Sequence, residues 1–185
     1  MQLRNQKGFT LIEIAIVLTI VGLVIGGIWL AASTVLNNNK KSELSRQVVQ
    51  IVQNTKNLFA NQTGASPATG FTTDTARNAG VFPAGMVVGN FVRHPFATVL
   101  TANSVTLNAN AGNQLTLLLG TAANPLPRDA CIELVTRVAT QENFSRYGIF
   151  SVNGLTAGAT VQNLSATCNV ADPGNNPVTI IFNVP

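Results

Sequence analysis

The sequence predicts an α+β chain, in which a long N-terminal α-helix precedes a head that contains an antiparallel β-sheet. The 23 residues from Ile14 to Leu36 carry no charge, and apolar residues at helical spacing follow them. Near the other end, Pro177–Val184 alternates apolar and polar residues, as a half-buried strand does. Helical signals and strand signals that occupy different parts of one chain are typical of the α+β class.

The charge-free segment is long enough to cross a membrane. At about 1.5 Å per residue a helix of this length spans roughly 35 Å, and the hydrocarbon core of a bilayer is about 30 Å thick. Three interpretations are open: a cleaved secretory signal, a plain anchor, or an anchor with a second use. Arg4 and Lys7 supply a basic start, but the apolar stretch is long for a secretory signal. Glu13 favours the third interpretation, because an acid at mid-membrane costs about 2.5–3.5 kcal/mol, and less near a helix end.

The helix is predicted to continue beyond the membrane to about residue 63. A stripe with steps of four and three residues indicates one face packed against a head. Its members are Leu44, Val48, Ile51, Thr55 and Leu58, widened by Val52 and Phe59. Gly64 and Pro67 are expected to end the helix. Asn37–Asn39 are poor helix formers and predict fraying or a kink at the membrane exit.

The head is predicted from turn residues between short apolar runs. Asn103 and the pair Gly112-Asn113 are turn signals that separate strand-like runs. The predicted elements are a loop over Ala65–Pro95 that holds a short helix at Thr73–Ala79, strands at Phe96–Thr101, Ser104–Ala109, Gln114–Leu119, Tyr147–Val152 and Pro177–Val184, and a helix at Leu126–Asn143.

Cys131 and Cys168 both lie far from the apolar N-terminus. In a cytosolic protein two such thiols are inert packing residues, whereas beyond a membrane anchor, in an oxidising compartment, they favour a disulfide. The chain-entropy model gives about 4 kcal/mol as an upper expectation for a loop of this size. The polar, Asn- and Thr-rich remainder of the chain also favours an external location, and the charges that flank the apolar segment do not settle its orientation.

Composition argues against several functions. The net charge of +4 arises from scattered residues with no basic run longer than Lys40-Lys41, so a directly bound nucleic acid is not expected. The single histidine, His94, supports neither a metal cluster nor a catalytic triad, and it is expected to be a solvated loop residue. The acids form no recognisable acid/base pair, and the sequence has no phosphate-binding P-loop. We therefore expect a protein that is not an enzyme and has no cofactor or metal.

The segment Lys7-Gly8-Phe9-Thr10-Leu11-Ile12-Glu13 directly precedes the apolar run. It resembles the processing motif of type IV prepilins and of the related pseudopilins. The resemblance implies that a prepilin peptidase cuts between Gly8 and Phe9 and that Phe9 becomes N-methylated. It thereby implies a cleaved leader of residues 1–8, a transmembrane and assembly helix of residues 9–36, an amphipathic continuation of residues 37–63 and a head of residues 64–185.

Glu13 would then lie four residues from a new α-amine on Phe9. A buried carboxylate needs a cationic partner, and two partners are open. One is the chain's own amine, which is one helical turn away. The other, which the family implies, is the amine of a neighbouring subunit, and this pairing would set the register of assembly. Gly22 and Gly26 form a G-x-x-x-G pattern that can mark a close helix contact but is common by chance.

The same resemblance implies the pilin fold, in which the long helix packs on an antiparallel sheet and a disulfide bounds the region 131–168. The helix after Cys131 and the run Asn78–Met86 resemble type IVb pilins, whereas the short leader and Phe9 as first mature residue resemble type IVa. The implied function is that of a structural subunit, the major pilin, of a pilus that serves adhesion, aggregation, motility or DNA transfer. The implied partners are other copies of the chain, the peptidase, a platform protein and a cytoplasmic ATPase.

The implied location is first the inner membrane of a Gram-negative bacterium and then the extracellular pilus. A pseudopilin of type II secretion has the same kind of N-terminus and is the alternative, although the disulfide pair and the large head favour the pilus. A membrane-tethered periplasmic enzyme or binding domain is a third and weaker alternative.

Overall fold

The computed structural model describes residues 9–60, 69–110, 112–138, 148–152, 155–156, 168 and 177–184. Within them lie helices α1 (Leu11–Phe59), α2 (Thr73–Asn78) and α3 (Arg128–Val138), and a 3-10 turn at Ala84–Met86. The strands are β1 (Val87–Val88), β2 (Phe91–Val92), β3 (Val105–Ala109), β4 (Gln114–Leu119), β5 (Gly148–Val152), β6 (Leu155–Thr156) and β7 (Val178–Asn183). The chain divides into two compact units between Asn39 and Lys40.

The first unit is the part of α1 up to Asn39, and its apolar side chains are exposed. Every residue from Phe9 to Asn39 is exposed to solvent, including the single tryptophan, Trp29. Among the described residues, α1 is the one helix whose length and composition would allow it to cross a membrane. The expected fraying at Asn37–Asn39 is wrong, because these residues are helical. Helical turns on both sides continue the hydrogen-bond ladder, and each asparagine is less favourable than alanine by only several tenths of a kcal/mol.

In the second unit, the part of α1 after Lys40 buries one face, as the stripe predicted. Its buried apolar side chains are Leu44, Val48, Ile51, Val52 and Phe59, together with Thr55. Leu58 is only half-buried, and the neighbouring Phe59 packs its ring edge-on against Phe71 at 5.1 Å between centroids. The helix ends at Phe59, and the predicted stop signals Gly64 and Pro67 lie outside the described residues.

The five-stranded sheet is antiparallel, with strand order β3-β4-β7-β5-β6. The central strands β4 and β7 pair so that buried residues lie opposite one another: Leu115 faces Phe182, Leu117 faces Ile180 and Leu119 faces Val178. The side chains between them are half-buried or exposed, because successive residues of a strand point to opposite faces. One face of the sheet therefore joins the core, which confirms the α+β class.

Most predicted head elements are confirmed, with shorter bounds. Strands β3, β4 and β7 lie within the predicted runs, and β5 begins at Gly148, whereas Tyr147 lies outside the described residues. Helix α2 is capped by Thr72, whose hydroxyl accepts a hydrogen bond from the Thr75 amide at 3.3 Å. The predicted helix over Leu126–Asn143 is observed as α3, and its last five predicted residues are outside the described ranges.

The predicted strand Phe96–Thr101 is wrong, since this segment is a loop without strand pairing. The side chain of Asn124 takes the place of a partner strand. Its Oδ1 accepts from the amides of Thr98 and Val99 at 2.9 and 2.7 Å, and its Nδ2 donates to the Val99 carbonyl at 3.0 Å. These backbone groups are thus satisfied by one side chain instead of by a sheet ladder.

A short hairpin, β1–β2, lies inside the region predicted as a loop. Its turn is Gly89-Asn90, and Gly89 adopts φ +60°, which glycine reaches without steric cost. Two apolar pairs around a Gly-Asn turn are a local hairpin signal, so this element was visible in the sequence and was missed.

Cys131 and Cys168 form the expected disulfide, with 5.8 Å between their Cα atoms. Both cysteines are buried, and the core face of α3 also includes Leu134, Val135 and Val138. The Arg128 Nε donates to the Cys168 carbonyl at 3.2 Å, which is a second contact between α3 and Cys168. The disulfide and this hydrogen bond therefore hold Cys168 against α3.

We predict that the double variant Cys131→Ala/Cys168→Ala lowers the free energy of unfolding of the head by about 2–4 kcal/mol, because the unfolded chain regains the entropy of the open loop. Urea unfolding of the detergent-solubilised full chain, followed by circular dichroism, measures the change. Equal midpoints for the variant and the oxidised wild type would contradict the stabilising role.

Candidate functional site

The candidate site predicted from the sequence lies at the start of α1. Phe9 precedes the helix and is 81% exposed, and Glu13 lies exposed in the first turn. Gly8, the expected residue before the cut, lies outside the described residues. The structure thus places Phe9 just before the helix and Glu13 in its first turn, and no described part of the chain covers either side chain.

Glu13 and Thr10 together cap the N-terminus of the helix. Its Oε2 accepts from the Thr10 amide at 3.3 Å and from the Thr10 hydroxyl at 3.1 Å. The Thr10 carbonyl in turn accepts from the amides of Glu13 and Ile14 at 3.1 and 3.3 Å. This is the side-chain-to-N-cap half of a capping box, in which a Glu or Gln three residues after the cap reaches back to its amide. The Thr-x-x-Glu spacing was present in the sequence, and this role of Glu13 was missed.

The carboxylate keeps capacity for a further partner. An ionised carboxylate offers about four acceptor positions, and the contacts with Thr10 use two of them. The positive end of the helix dipole also favours a negative charge in the first turn. Capping and ion pairing are therefore compatible at Glu13.

The remaining surface of the exposed helix is apolar, and its hydroxyl groups bond within the helix. Thr19 and Ser33 each donate to a backbone carbonyl one turn earlier, at 2.8 Å. A Cβ atom added at Gly22, Gly26 or Gly27 would meet nothing within 4 Å. Within the described part of the chain nothing covers this face, so it is available to lipid or to another molecule.

His94, which was expected in a solvated loop, is instead 3% exposed, so that expectation is wrong. The Phe96 amide donates to its Nδ1 at 3.2 Å, and its Nε2 lies 3.2 Å from the Asn124 carbonyl. The ring proton is therefore on Nε2, and the ring is neutral. Burial lowers the pKa of His94, while hydrogen bonding with the backbone of Asn124 and of His94 itself opposes this.

The charged groups of the head form local pairs. The ion pairs in the described part of the head are Lys41–Asp129, Arg46–Glu43, Arg77–Asp74 and Arg137–Glu133. No group of three or more His, Cys, Asp or Glu that could hold a metal occurs in the described ranges. Each acid in these ranges of the head is therefore paired with a basic residue.

One comparison with known proteins identifies the N-terminal segment. A family model described as the prokaryotic N-terminal methylation motif matches residues 3–29. No curated protein and no solved structure matches the chain. The match includes Gly8, Phe9, Glu13 and most of the exposed apolar helix, and it confirms the resemblance to type IV prepilins. The N-terminal segment is thus similar to the prepilin signal that pilins and pseudopilins share.

We predict that the stability of the head falls as the pH is lowered from about 7.5 to about 5. The folded state holds His94 neutral, with a lowered pKa, so the unfolded state binds more protons once the pH drops through the unfolded value of about 6.5. His94→Gln should reduce this slope, even if it lowers stability at every pH. Melting temperatures of both chains across this range measure the effect, and parallel curves would contradict it.

Proposed function

We propose that this chain is a structural subunit, the major pilin, of a type IV pilus. The observation that carries the proposal is the uncovered apolar helix that begins directly after the methylation motif and bears an acid in its first turn. Such a helix needs lipid before assembly and like helices afterwards. The head of the described residues, with its sheet and its disulfide, supports the role of a domain displayed outside the membrane.

The first step of the proposed pathway is cleavage between Gly8 and Phe9 by a prepilin peptidase, which removes the leader, residues 1–8. The new α-amine on Phe9 has an ordinary pKa of about 7.7–8 and is largely protonated near neutral pH. N-methylation keeps it basic. The cut therefore creates a positive charge one helical turn from Glu13.

The second step is assembly through residues 9–36. Lipid chains are as apolar as the helix itself, so the hydrophobic effect gives little preference for another helix over lipid. The pairing of Glu13 with the Phe9 amine of a neighbouring copy supplies that preference, because a register that leaves either charge unpaired in the apolar core is costly. Thr10 supports this pairing, since its contacts hold the carboxylate at the helix start while acceptor positions remain free.

The remaining parts of the chain have structural roles in this proposal. The part of α1 from Lys40 to Phe59 packs against the head, and the head would form the surface of the filament. Export from the inner membrane of a Gram-negative bacterium requires a platform protein and an ATPase, because the chain itself has no P-loop to bind a nucleotide. The filament would serve adhesion, aggregation, motility or DNA transfer.

A pseudopilin of type II secretion is the second candidate, because the methylation motif supports both. The disulfide that joins α3 to Cys168 favours the pilus, whose subunits must withstand conditions outside the cell. Electron microscopy of sheared surface material distinguishes the two. Long filaments that contain this chain support the pilin, and their absence from cells that carry the processed chain supports the pseudopilin.

We predict that the mature chain begins at N-methylated Phe9. Mass spectrometry of the N-terminal peptide from membranes or filaments measures this. Gly8→Val, which places a branched side chain before the cut, should leave residues 1–8 attached and abolish filaments. A mature chain that starts after Ala31 or Ala32 would show a secretory signal and refute the proposal.

We also predict that Glu13→Gln leaves membrane insertion intact but reduces filament yield at least about a hundredfold. Loss of one partner of a buried ion pair costs about 3–5 kcal/mol, and each 1.4 kcal/mol is a factor of ten in an equilibrium constant. Quantitative immunoblotting of sheared filaments against membrane fractions measures the yield.

Thr10→Ala is the matched control, because it removes the hydroxyl contact and keeps the charge. The loss of that cap contact costs about 0.5–2 kcal/mol, so a smaller defect is expected. Glutamine preserves the acceptor of the capping box. Normal assembly of Glu13→Gln would therefore show that Glu13 only caps the helix, and would refute its pairing with the amine.

A further inference from the structure

Two contacts hold surface segments of the head beside the first residues of the second unit of the chain. Lys40 is the first residue of that unit, and its Nζ lies 5.9 Å from the centroid of the Phe96 ring. The Nζ of the next residue, Lys41, lies 3.9 Å from a carboxylate oxygen of Asp129, in the first turn of α3. The Phe96–Thr101 loop and the start of α3 therefore both lie next to this short stretch of α1.

Asn124 connects the Phe96–Thr101 loop to the turn after β4. Its side chain bonds to the backbone of Thr98 and Val99 at distances between 2.7 and 3.0 Å. Its backbone carbonyl accepts from the Thr121 amide at 3.0 Å, just after β4 ends at Leu119. The loop and this turn thus form one continuous surface at the C-terminal end of β4.

The tip of the Phe96–Thr101 loop is apolar and exposed. Val99 is 38% exposed and Leu100 is 65% exposed. Neither the loop nor the segment 121–127 carries a charged residue. Because Asn124 already bonds to the backbone at Thr98 and Val99, these backbone groups do not depend on water for hydrogen bonds. That arrangement lowers the cost of moving the tip into a less polar phase.

The length of the chain limits how far this surface lies from the apolar helix. Four residues separate Lys40 from Leu36, the last residue of the uncharged segment. Four residues span at most about 14 Å even when fully extended, and the headgroup layer on each side of a bilayer core is about 5–8 Å thick. When the apolar helix spans a membrane, Lys40 therefore lies in the headgroup layer or just outside it, and Phe96 lies beside Lys40.

The charges near the loop suit an anionic lipid surface. Lys40 is exposed, and a lysine close to such a surface is attracted to its phosphate groups. The acids near Lys40 on α1 and α3 are already paired in the described part of the head, Glu43 with Arg46 and Asp129 with Lys41. Binding at a membrane interface increases with the apolar area that enters it and with attraction to anionic lipids. The tip of the loop supplies the first contribution and Lys40 the second.

The contact is small, and the anchor makes that sufficient. Two exposed apolar side chains and one cation would hold a free protein on a membrane only weakly. Here the apolar helix tethers the head to the bilayer, and a tether raises the effective concentration of a second contact to the millimolar range. The same tether selects the partner, because the lipid surface is next to the loop whenever the helix is in the membrane.

We propose that the Phe96–Thr101 loop and Lys40 form a second membrane contact of this chain, with Val99 and Leu100 inserted among the lipid headgroups. The contact orients the head on the bilayer surface before assembly, and it must break when the chain leaves the membrane. The inference rests on the proposed function, in which residues 9–36 lie in the membrane before they enter a filament.

Tryptophan fluorescence tests the contact in the full chain. Trp29 is the single tryptophan and lies in the apolar helix, so Leu100→Trp combined with Trp29→Phe places the sole tryptophan at the tip of the loop. Asn113→Trp in the same background is the matched control, because Asn113 is exposed and precedes β4, about 20 Å from the other end of that strand. Each chain is reconstituted, at a low ratio of protein to lipid, into vesicles of phosphatidylethanolamine and phosphatidylglycerol whose acyl chains carry bromine near the headgroup.

We expect the brominated lipid to remove about half or more of the emission of Leu100→Trp, because interfacial insertion of roughly 5–10 Å brings the tip to the bromine atoms. The emission of Asn113→Trp should be unchanged. Addition of Lys40→Gln to the Leu100→Trp chain should reduce the quenching, and unchanged quenching would overturn the role of Lys40.

Trp29 of the wild-type chain separates the two possible failures. If Trp29 is quenched and Leu100→Trp is not, or if Leu100→Trp and Asn113→Trp are quenched equally, the loop contact is overturned and the proposed function stands. If Trp29 itself is not quenched, the helix does not lie in lipid and the proposed function fails as well.

A photoreactive aliphatic side chain at Leu100 identifies what the loop touches without adding a tryptophan. Irradiation of the same vesicles should attach lipid to the chain. Covalent dimers of the chain, or no crosslink at all, would overturn the membrane contact, and dimers would assign the loop to a second copy instead.

Discussion

The uncovered apolar surface from Phe9 to Leu36 is the constraint on which the rest depends. Nothing in the described part of the chain covers it, and exposure of so much apolar area to water is prohibitive. Lipid and other helices both remove that cost, almost equally. The choice between them must therefore come from a group that lipid cannot satisfy, and on this surface the charged group is Glu13.

The capping contact of Glu13 and the ion pair proposed for it explain why the acid lies in the first turn and not deeper in the helix. In the first turn it accepts from Thr10 and lies at the positive end of the helix dipole, so the unassembled chain has a partial partner for the charge. At mid-helix the same charge would have neither, and insertion into the membrane would cost more. The position therefore lowers the cost of the acid in the membrane and leaves it able to form the ion pair that we propose with a neighbouring copy.

Most elements with local causes were predicted from the sequence, whereas contacts between residues that are distant in sequence were not. The alternation in Gln114–Leu119 and Val178–Asn183 requires only one buried face, so both strands were predicted. The segment after His94 has the same apolar character, but its amides bond to Asn124, about 25 residues away, and no local pattern shows that. The residues of the N-terminal site could be predicted because they lie close together in the sequence. The burial of unpaired atoms of Gln47 and Arg93 depends on the tertiary fold and could not.

The distribution of charge on the head is consistent with assembly that is driven elsewhere. Exposed ion pairs such as Arg46–Glu43 add little stability, because solvent screens them and ordering their side chains opposes them. Their effect is to neutralise the surface locally. Contacts between neutral surfaces depend on apolar packing and hydrogen bonds, and these are less sensitive to salt than the attraction of exposed charges. In the filament proposed above, contacts of this kind would depend little on external ionic strength, and the proposed ion pair of Glu13 would lie in the apolar interior, where salt does not screen it.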